Sequence, residues 1–360
     1  MRSQQWAAED AIHRFWGSGG ILKVGFRRGG EADLSLQSVQ RQVSRQSGVA
    51  LPRPHAVAGG LVNRAYRAGA WFVKVYAPEV VAASTTIPSV RLQASLAGRG
   101  VAVPPVALTR TGDPFVVCDG RVIAVMAWIS GVPLQAAALT PVEARQAGQL
   151  WARFHEAAAG CLDPTKPGPP AWSAAAVMDH GSAIGRQAQA VRPETAFDQE
   201  VARTAAWVAS LRSDARESLA AARGTWGLSH RDVHGGNLLA AADQLYLIDF
   251  DNAGAGHYEV EIMTAWTLLA AGMALEPAWT AQGSELFAGY QEVRRLNTAT
   301  RANLVPRYLR PLLRNSWPAA IRYQTGDVRE EWTELVRLRG AALRWLWGHQ
   351  EALAAAVARP

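Results

Sequence analysis

The amino-acid sequence predicts an α+β fold of two lobes, a small β-rich N-terminal lobe over residues 1–130 and a larger helical C-terminal lobe over residues 131–360. Short segments rich in Val, Phe and Trp, bounded by turn residues, occur in the first third of the chain and predict strands. From Thr140 onward, alanine-rich segments carry apolar residues every three to four positions, which predicts helices with one buried face. The pattern changes near residues 131–133, so we place the boundary there.

Charge and composition limit the class of protein. The chain of 360 residues is 49% apolar and 19% charged, which is typical of globular proteins. Residues 1–130 carry 15 Lys and Arg against 7 Asp and Glu, whereas residues 131–360 carry 22 against 23. The arginines are scattered singly, without interleaved aromatic residues, so we expect no nucleic-acid partner. A cationic N-terminal lobe instead suits a polyanionic nucleotide.

The cysteines and the apolar segments predict where the protein works. Cys118 and Cys161 are too few for a disulfide framework and lack CxxC spacing, which favours a reducing compartment. Residues 1–16 carry charges where a signal peptide needs an apolar run. The longest uncharged apolar stretch, residues 265–275, is too short to span a bilayer. We therefore expect a cytoplasmic protein with no membrane contact, and the oligomeric state stays open.

The elements of the N-terminal lobe follow from local patterns. A helix is predicted over residues 4–16, followed by a glycine-rich turn. The pair Gly59 and Gly60 lies in a segment, residues 56–76, that predicts two strands joined by turns. Further strands are predicted at the following segments: 21–26, 27–36, 104–109, 115–117 and 122–128.

The C-terminal lobe is predicted to be mainly helical. In PVEARQAGQLWARFHEA, residues 141–157, four apolar residues share one face of a helix, namely Ala147, Leu150, Trp151 and Phe154. A loop rich in proline and glycine is predicted over residues 161–173. Further helices are expected over residues 197–222, 259–274 and much of 278–352.

One polar stretch interrupts the helical pattern. LSHRDVHGGNLL, residues 228–239, contains an aspartate, two histidines, two glycines and an asparagine ahead of two leucines. The leucines begin a predicted strand, residues 243–244 make a turn, and YLIDFD at residues 246–251 is the predicted returning strand. Polar groups are therefore expected at both ends of a hairpin.

These polar groups fit phosphoryl transfer. Asp232 and Asn237 lie at one end of the predicted hairpin, and Asp249 and Asp251 lie at the other. Transfer of a phosphoryl group to a hydroxyl needs a carboxylate to accept the proton, and an amide oxygen with a second carboxylate to hold magnesium at the nucleotide phosphates. A DxxxxN pattern alone would be weak, but here the hairpin length and the IDFD ending agree with it.

At this point a family resemblance is apparent. HRDVHGGNLL followed by LIDFD resembles the signatures of the aminoglycoside phosphotransferase and choline kinase superfamily, small-molecule relatives of protein kinases. GGLVNRAYRA is similar to the nucleotide-covering turn of that family, WFVKVY to its lysine strand, VMAWISGVPL to its hinge and LWARFHEA to its long C-lobe helix. The resemblance covers roughly residues 56–265 and implies a two-lobed protein-kinase-like fold.

The resemblance also implies roles for individual residues. It makes Asp232 the catalytic base, Asn237 and Asp249 the ligands of Mg²⁺, and Lys74 the contact of the α- and β-phosphates. The nucleotide triphosphate, ATP or GTP, would further contact Gly59, Gly60, Asn63, Ala127 and Ile129. The acceptor would be a hydroxyl group of a small molecule, lying over the C-lobe helices near Asp232 and near two glutamates, Glu259 and Glu261.

One departure from the family pattern concerns Lys74. Kinase-like sites orient this lysine with a glutamate from the next helix, yet no acidic residue occurs between Glu79 and Asp113. The usual position of that glutamate falls within residues 89–93, where Gln93 is the polar candidate besides serine. Either Glu79 turns back to the lysine, or the lysine is unpaired.

Several alternatives stay open. The HRD triplet also suits a protein kinase, but His234 stands where Ser/Thr kinases have lysine, Asp251 stands where DFG has glycine, and no APE follows. The acceptor could be an antibiotic or another natural product, or a metabolite such as homoserine or choline. A catalytically silent kinase-like binding protein is the rival from another class, since the helix glutamate is missing.

Some residues also have purely structural explanations. The two glycines could form a tight hairpin only, and alternation along its strand could turn Lys74 outward to water. His155 is expected to be a hydrogen-bonded core histidine, whereas His230 and His234 are expected to hold the catalytic loop by hydrogen bonds.

Overall fold

A computed structural model gives the structure of the protein and describes residues 35–57, 63–76, 86–134, 139–161, 174–192, 194–211, 225–242, 244–267, 279–314, 319, 322–323 and 330–358. These residues form the α+β fold that the sequence predicts. The helices are α1 Leu36–Ser47, α2 Thr86–Gly98, α3 Pro141–Ala157, α4 Ala174–Ala190, α5 Ala196–Ser210, α6 Tyr258–Ala265, α7 Trp279–Val293, α8 Thr298–Arg314, α9 Glu330–Gly348 and α10 Gln350–Ala358. The strands are β1 His55–Ala56, β2 Arg64–Ala68, β3 Trp71–Val75, β4 Val116–Cys118, β5 Arg121–Ala127, β6 Val132–Pro133, β7 Trp226–Ser229, β8 Leu238–Ala241, β9 Gln244–Leu247 and β10 Gly254–His257.

The described residues divide into two compact units. The first, called here the sheet unit, takes the described residues within Gly20–Pro133 and Asn237–Ala253. The second, called the helical unit, takes those within Leu134–Gly236 and Gly254–Pro360. The sheet unit therefore combines two stretches of chain that are far apart in the sequence. The division into residues 1–130 and 131–360 stays a prediction.

The main sheet of the sheet unit has five antiparallel strands in the order β1-β2-β3-β5-β4. Its register places Lys74 of β3 opposite Ala65 of β2 and Ala124 of β5. The predicted strands around Lys74, at residues 115–117 and at residues 122–128 are thereby confirmed. Since β3 has a neighbour on each side, ladder hydrogen bonds fix the backbone that carries Lys74.

Helices α1 and α2 pack on opposite faces of this sheet. Buried residues of the α1 face are Val39, Val43, Val73, Val75, Ile123 and Val125. Buried residues of the α2 face are Tyr76, Val90, Val122, Ala124 and Met126, with Phe72 packed against them. Because successive strand residues point to opposite faces, Lys74 shares the α2 face with Phe72 and Tyr76.

The predicted hairpin after the polar stretch is present as β8 and β9, which pair from Leu238 and Leu247 to Ala241 and Gln244. The returning strand ends at Leu247, so the prediction that it continues to residue 251 is wrong. The backbone leaves the strand because Asp249 adopts the left-handed conformation, with φ 62°, and a short 3₁₀ turn, Phe250–Asn252, follows.

The start of the sheet unit differs from the sequence prediction. Residues 4–26 lie outside the described residues, but Leu36, expected in a strand, begins helix α1 instead. Its two buried residues, Val39 and Val43, follow Leu36 at helical spacing among Gln, Ser and Arg, a signal that was missed. The strand predicted at residues 104–109 is reduced to a single bridge between Val106 and Met126.

The helical unit confirms the predicted buried face of α3. Its four apolar residues, Ala147, Leu150, Trp151 and Phe154, are all buried, and a capping box between Thr140 and Glu143 starts the helix. The predicted helices at residues 197 and 259 also form, while residues 162–173, 212–224 and 268–278 lie outside the described residues. Among the described helices, none has the length and apolar character needed to cross a membrane.

Helices α3 and α7 approach so closely that glycine is needed on both. A Cβ atom on Gly148 of α3 would overlap the carbonyl oxygen of Leu286, and one on Gly289 of α7 would overlap that of Arg145. The helix backbones are therefore in contact at these two positions. This contact fixes α3 against α7, and with it the buried residues of both helices.

A chain of buried polar side chains starts from these two helices. Tyr290 of α7 contacts Nδ1 of His155 on α3 at 2.8 Å, and Nε2 of His155 contacts Oε2 of Glu261 on α6 at 2.7 Å. The other carboxylate oxygen of Glu261 accepts the backbone N–H of Arg231 at 2.9 Å. His155 is thus a satisfied core histidine, as predicted, and the chain ends on the residue before Asp232.

The ionisation of this buried chain follows from its contacts. Burial lowers the pKa of His155, which favours the neutral ring. Although burial alone would raise the pKa of Glu261, hydrogen bonds from His155 and Arg231 hold it below the usual range. A neutral His155 therefore donates from Nε2 to an ionised Glu261 and accepts the Tyr290 hydroxyl at Nδ1.

The close approach of α3 and α7 gives a first prediction. Gly148→Ala should lower the free energy of unfolding by about 1–3 kcal/mol, because the added methyl group forces the two backbones apart. Gly98→Ala on α2 is the matched control, since nothing lies within 4 Å of an added Cβ there. That control should change stability by no more than about 1 kcal/mol, in the stabilising direction. Urea denaturation measures both, and equal effects would contradict the close approach.

A second prediction concerns the buried chain. Glu261→Ala removes the acceptor of two buried donors and should cost about 3 kcal/mol of unfolding free energy. Glu261→Gln keeps one acceptor oxygen and should lose less. The exposed Glu351 of α10 provides the control Glu351→Ala, which should stay within about 0.5 kcal/mol of wild type. If Glu261→Ala were as stable as that control, Glu261 would not anchor the loop.

Candidate functional site

The helical unit carries Asp232 on a loop that follows β7. The residue before it, Arg231, adopts the left-handed conformation with φ 64°, which is costly for a residue with a Cβ atom. The hydrogen bond from its N–H to buried Glu261 holds this backbone in place. The packed helices thus impose the conformation of the loop. This conformation fixes the backbone from which the Asp232 side chain extends.

Two histidines of this loop, His230 and His234, flank Asp232, as the sequence indicates. His230 is buried and lies edge-on to Phe154, with ring centroids 6.3 Å apart. Nε2 of His234 lies 3.6 Å from Oδ1 of Asp232. A Cβ atom on Gly236 would crowd the ring of His234, so this glycine leaves room for the ring beside the aspartate. Hydrogen bonding of the loop by both histidines stays a prediction.

The two glutamates expected at the acceptor, Glu259 and Glu261, are buried in the helical unit instead. Glu259 is buried and accepts the backbone N–H and the hydroxyl of Thr225 at 2.7 and 2.8 Å. Glu261 is equally buried and bound to His155 and Arg231. The expectation that they face the acceptor is wrong, because both carboxylates anchor backbone. Sequence alone does not distinguish an exposed acidic helix start from a buried one.

The sheet unit carries Asn237 and Asp249 at the two ends of the β8–β9 hairpin. Asn237 is buried, and its backbone carbonyl accepts the N–H of Ile248 at 3.0 Å. The side chain of Asp249 is 42% exposed, and aspartate is among the residues that tolerate the left-handed backbone found there. The amide of Asn237 and the accessible carboxylate of Asp249 thus flank the same small hairpin. Both provide oxygen ligands of the kind that Mg²⁺ prefers.

Lys74 is paired with two carboxylates of the sheet unit. Its Nζ lies 2.9 Å from Oδ1 of Asp249 and 2.8 Å from Oδ2 of Asp251. Only 13% of its side chain is exposed, so the explanation that Lys74 points outward to water is wrong. Burial disfavours the ammonium, but Asp249, Tyr76 and Asp251 raise the pKa of Lys74 well above its usual value. The lysine is therefore a positive charge held at a fixed position.

The possibilities that the sequence offered for Lys74 have different outcomes. The alternative of an unpaired lysine is wrong, because Asp249 and Asp251 pair with it. Gln93 is buried and donates to the carbonyl oxygen of Pro104 at 2.9 Å, and it also contacts Sδ of Met126. Glu79 lies outside the described residues. Sequence reasoning did not identify Asp251 as a partner of Lys74, although an acid where protein kinases have glycine was a visible signal.

The remaining predicted nucleotide contacts are partly described. Nδ2 of Asn63 donates to Oδ2 of Asp251 at 2.8 Å. Ala127 ends β5 and donates its N–H to the carbonyl oxygen of Pro105, while the carbonyl of Ile129 accepts the N–H of Gly131. Gly59 and Gly60 lie outside the described residues. Contact of these residues with a nucleotide stays a prediction.

Solved structures share the fold. An aminoglycoside phosphotransferase from Alicyclobacillus acidocaldarius is 18% identical with a TM-score of 0.61, over 92% of this chain and 98% of that chain. Spectinomycin phosphotransferase, in complex with ADP and spectinomycin, is 15% identical with a TM-score of 0.58, over 89% and 98%. Amicoumacin kinase, in complex with AMP-PNP, Ca²⁺ and Ami, is 14% identical with a TM-score of 0.55, over 86% and 93%. At these identities the likeness shows the fold, and the expected kinase-like fold is confirmed.

Comparison with families of known proteins agrees with the fold. A search of curated proteins found no match. The model of the phosphotransferase enzyme family matches residues 54–297, which is more than half of the chain. That range includes the lysine strand, the Asp232 loop, the β8–β9 hairpin and helix α6. The chain therefore belongs to the phosphotransferase enzyme family.

Proposed function

We propose that this phosphotransferase transfers the γ-phosphoryl group of ATP or GTP to a hydroxyl group of a small molecule, with Mg²⁺ as cofactor. The observation that carries the proposal is the pairing of Lys74 with Asp249, two residues that are 175 positions apart in the sequence. A cation for phosphates and a carboxylate for a metal are two of the groups that phosphoryl transfer needs together. The proposed cytoplasmic location rests on the sequence.

The sheet unit would bind the nucleotide. Lys74 would offer a fixed positive charge to the phosphates, since the lysine ammonium binds phosphate as a point charge. ADP in spectinomycin phosphotransferase and AMP-PNP in amicoumacin kinase support an adenine nucleotide as the donor. GTP stays the alternative donor.

Asn237 and Asp249 would hold the metal ion. Their amide and carboxylate oxygens are hard ligands, and such sites leave the remaining positions around Mg²⁺ to water and to nucleotide phosphates. When bound, the ion neutralises charge on the β- and γ-phosphates. The exposed carboxylate of Asp249 fits this role better than that of Asp251, which is only 10% exposed. The calcium ion with AMP-PNP in amicoumacin kinase supports a divalent cation.

Asp232 would act as the general base. In the proposed reaction the acceptor hydroxyl oxygen forms a new bond to the γ-phosphorus, the bond between that phosphorus and the β–γ bridging oxygen breaks, and ADP or GDP leaves. The hydroxyl proton passes to the carboxylate of Asp232. Holding Arg231 through Glu261 keeps the carboxylate oriented, so that little reorganisation is needed when the proton moves.

Proteins of the same fold indicate the class of the acceptor. Spectinomycin and amicoumacin are bound by proteins of the same fold, which supports an antibiotic or another natural product. A metabolite of the homoserine or choline type is the second candidate. The alternative of a catalytically silent binding protein rested on the missing helix glutamate. Lys74 has carboxylate partners without that glutamate, so this reason no longer applies. A screen of hydroxylated antibiotics and metabolites, coupled to release of ADP or GDP, tests both acceptor classes.

The metal assignment predicts the behaviour of Asp249→Asn. Nucleotide affinity should depend on Mg²⁺ in wild type and lose most of that dependence in the variant, because a charged oxygen ligand is removed. Asp119→Asn is the matched control, as Asp119 is also an aspartate in the left-handed conformation, with φ 49°, and is exposed. Calorimetric titration of ATP at several Mg²⁺ concentrations measures the effect. Unchanged dependence in Asp249→Asn would remove Asp249 from the metal site.

The assignment of the base predicts the behaviour of Asp232→Asn. The amide cannot accept the proton, so turnover with the acceptor found in the screen should fall by at least about 100-fold. ATP affinity and the melting temperature should change little, because other groups hold the phosphates. Asp179→Asn at an exposed position of α4 should match wild type in all three measurements. Full turnover by Asp232→Asn would exclude Asp232 as the base.

A further inference from the structure

We propose that Asp251 is the positioning residue of Lys74 and replaces the glutamate that α2 lacks. The proposal rests on the proposed function, in which Lys74 contacts the nucleotide phosphates. It assigns different tasks to the two aspartates of IDFD. Asp249 serves the metal, and Asp251 orients the lysine.

Helix α2 packs on the face of the sheet that carries Lys74. Its sequence, TIPSVRLQASLAG, contains no acidic residue. Gln93, a polar residue that α2 turns toward the sheet, is hydrogen-bonded to Pro104. Helix α2 therefore provides no carboxylate to the face of the sheet on which Lys74 lies.

Asp251 reaches the lysine from the short turn that follows Asp249. Asp251 belongs to the 3₁₀ turn Phe250–Asn252, and this turn packs against α2. The turn thus brings a carboxylate to the α2 face of the sheet, where it lies 2.8 Å from Nζ of Lys74. The negative charge thus lies on the same face of the sheet as α2 but belongs to another segment of the chain.

The two aspartates, Asp249 and Asp251, have different surroundings. Asp251 is 10% exposed, whereas Asp249 is 42% exposed. Oδ2 of Asp251 receives both Nζ of Lys74 and Nδ2 of Asn63, each at 2.8 Å. The buried Oδ2 of Asp251 already accepts from two protein donors, whereas the exposed carboxylate of Asp249 has room for a cation. When Asp249 serves a metal ion, Asp251 keeps the lysine in place.

Asn63 extends the role of Asp251 beyond the lysine. This residue lies directly before β2, and β2 pairs with the lysine strand β3. Through one carboxylate oxygen, Asp251 therefore fixes both the lysine and the chain that enters β2. A nucleotide would meet these groups in one arrangement, which lowers the entropy cost of binding.

A double-mutant cycle tests whether Asp251 acts through Lys74. Asp251→Asn keeps the size of the side chain and should weaken ATP binding by about tenfold, and Lys74→Ala by at least as much. In the Lys74→Ala background, the added effect of Asp251→Asn should fall to about two- to threefold, because the lysine is gone and only the bond to Asn63 is left to weaken. Asp251→Glu restores a carboxylate and should recover part of the affinity. Calorimetry with ATP and Mg²⁺ measures each variant, and Asp119→Asn is the control.

A second measurement distinguishes positioning from metal binding and from folding. Asp251→Asn should keep the wild-type dependence of ATP affinity on Mg²⁺, and its melting temperature should stay within a few degrees of wild type. A full tenfold effect in the Lys74→Ala background, or a loss of Mg²⁺ dependence in Asp251→Asn, would overturn the proposal. Wild-type affinity of Asp251→Asn would overturn it as well.

The proposed function fails by a different result. If wild type did not bind ATP or GTP, or if Lys74→Ala bound them like wild type, the nucleotide site itself would be wrong. If Lys74→Ala weakened binding while Asp251→Asn had an independent effect, the nucleotide site would stand. Only the role of Asp251 would then be lost.

Discussion

The energetic cost of burying an ammonium group determines the arrangement of the sheet unit. A charge removed from water in a protein costs several kcal/mol unless an opposite charge and hydrogen bonds compensate it. Lys74 lies on a central strand and is largely buried, and its neighbours along β3 are apolar. Its compensation comes from Asp249 and Asp251 on a segment 175 residues later in the chain. The membership of the β8–β9 hairpin in the sheet unit agrees with this requirement.

Buried carboxylates have a comparable role in the helical unit, where they hold backbone. Glu259 binds the backbone of Thr225 before β7, and Glu261 binds that of Arg231 after it. Both belong to the first turn of α6. One short helix thus anchors both ends of the strand that leads to Asp232. The left-handed backbone at Arg231 is stable because a charged acceptor in a packed core compensates its cost.

Local patterns in the sequence predicted much of this structure. The helix carrying His155, the strand of Lys74 and the hairpin after Asn237 follow from periodicity and turn residues, which act over a few positions. The partner of Lys74 could not be predicted in this way, because its ion pairs join distant segments. The absence of acids in α2 indicated that a partner had to come from elsewhere, but it did not indicate Asp251. Glu261 was misplaced because an acidic residue gives no local sign that it is buried.

The composition of the sheet unit has a consequence for synthesis on the ribosome. The strand with Lys74 is complete early, yet the residues that compensate its charge belong to the stretch Asn237–Ala253. The five strands of the main sheet end at Ala127, but until that later stretch has left the ribosome the sheet unit lacks the β8–β9 hairpin and the two carboxylates that pair with Lys74. Domains that fold in order along the chain can become stable while synthesis continues, but this unit must wait. While residues 134–236 are synthesised, the sheet unit is therefore incomplete, and the face of the main sheet that carries Lys74 lacks its compensating carboxylates.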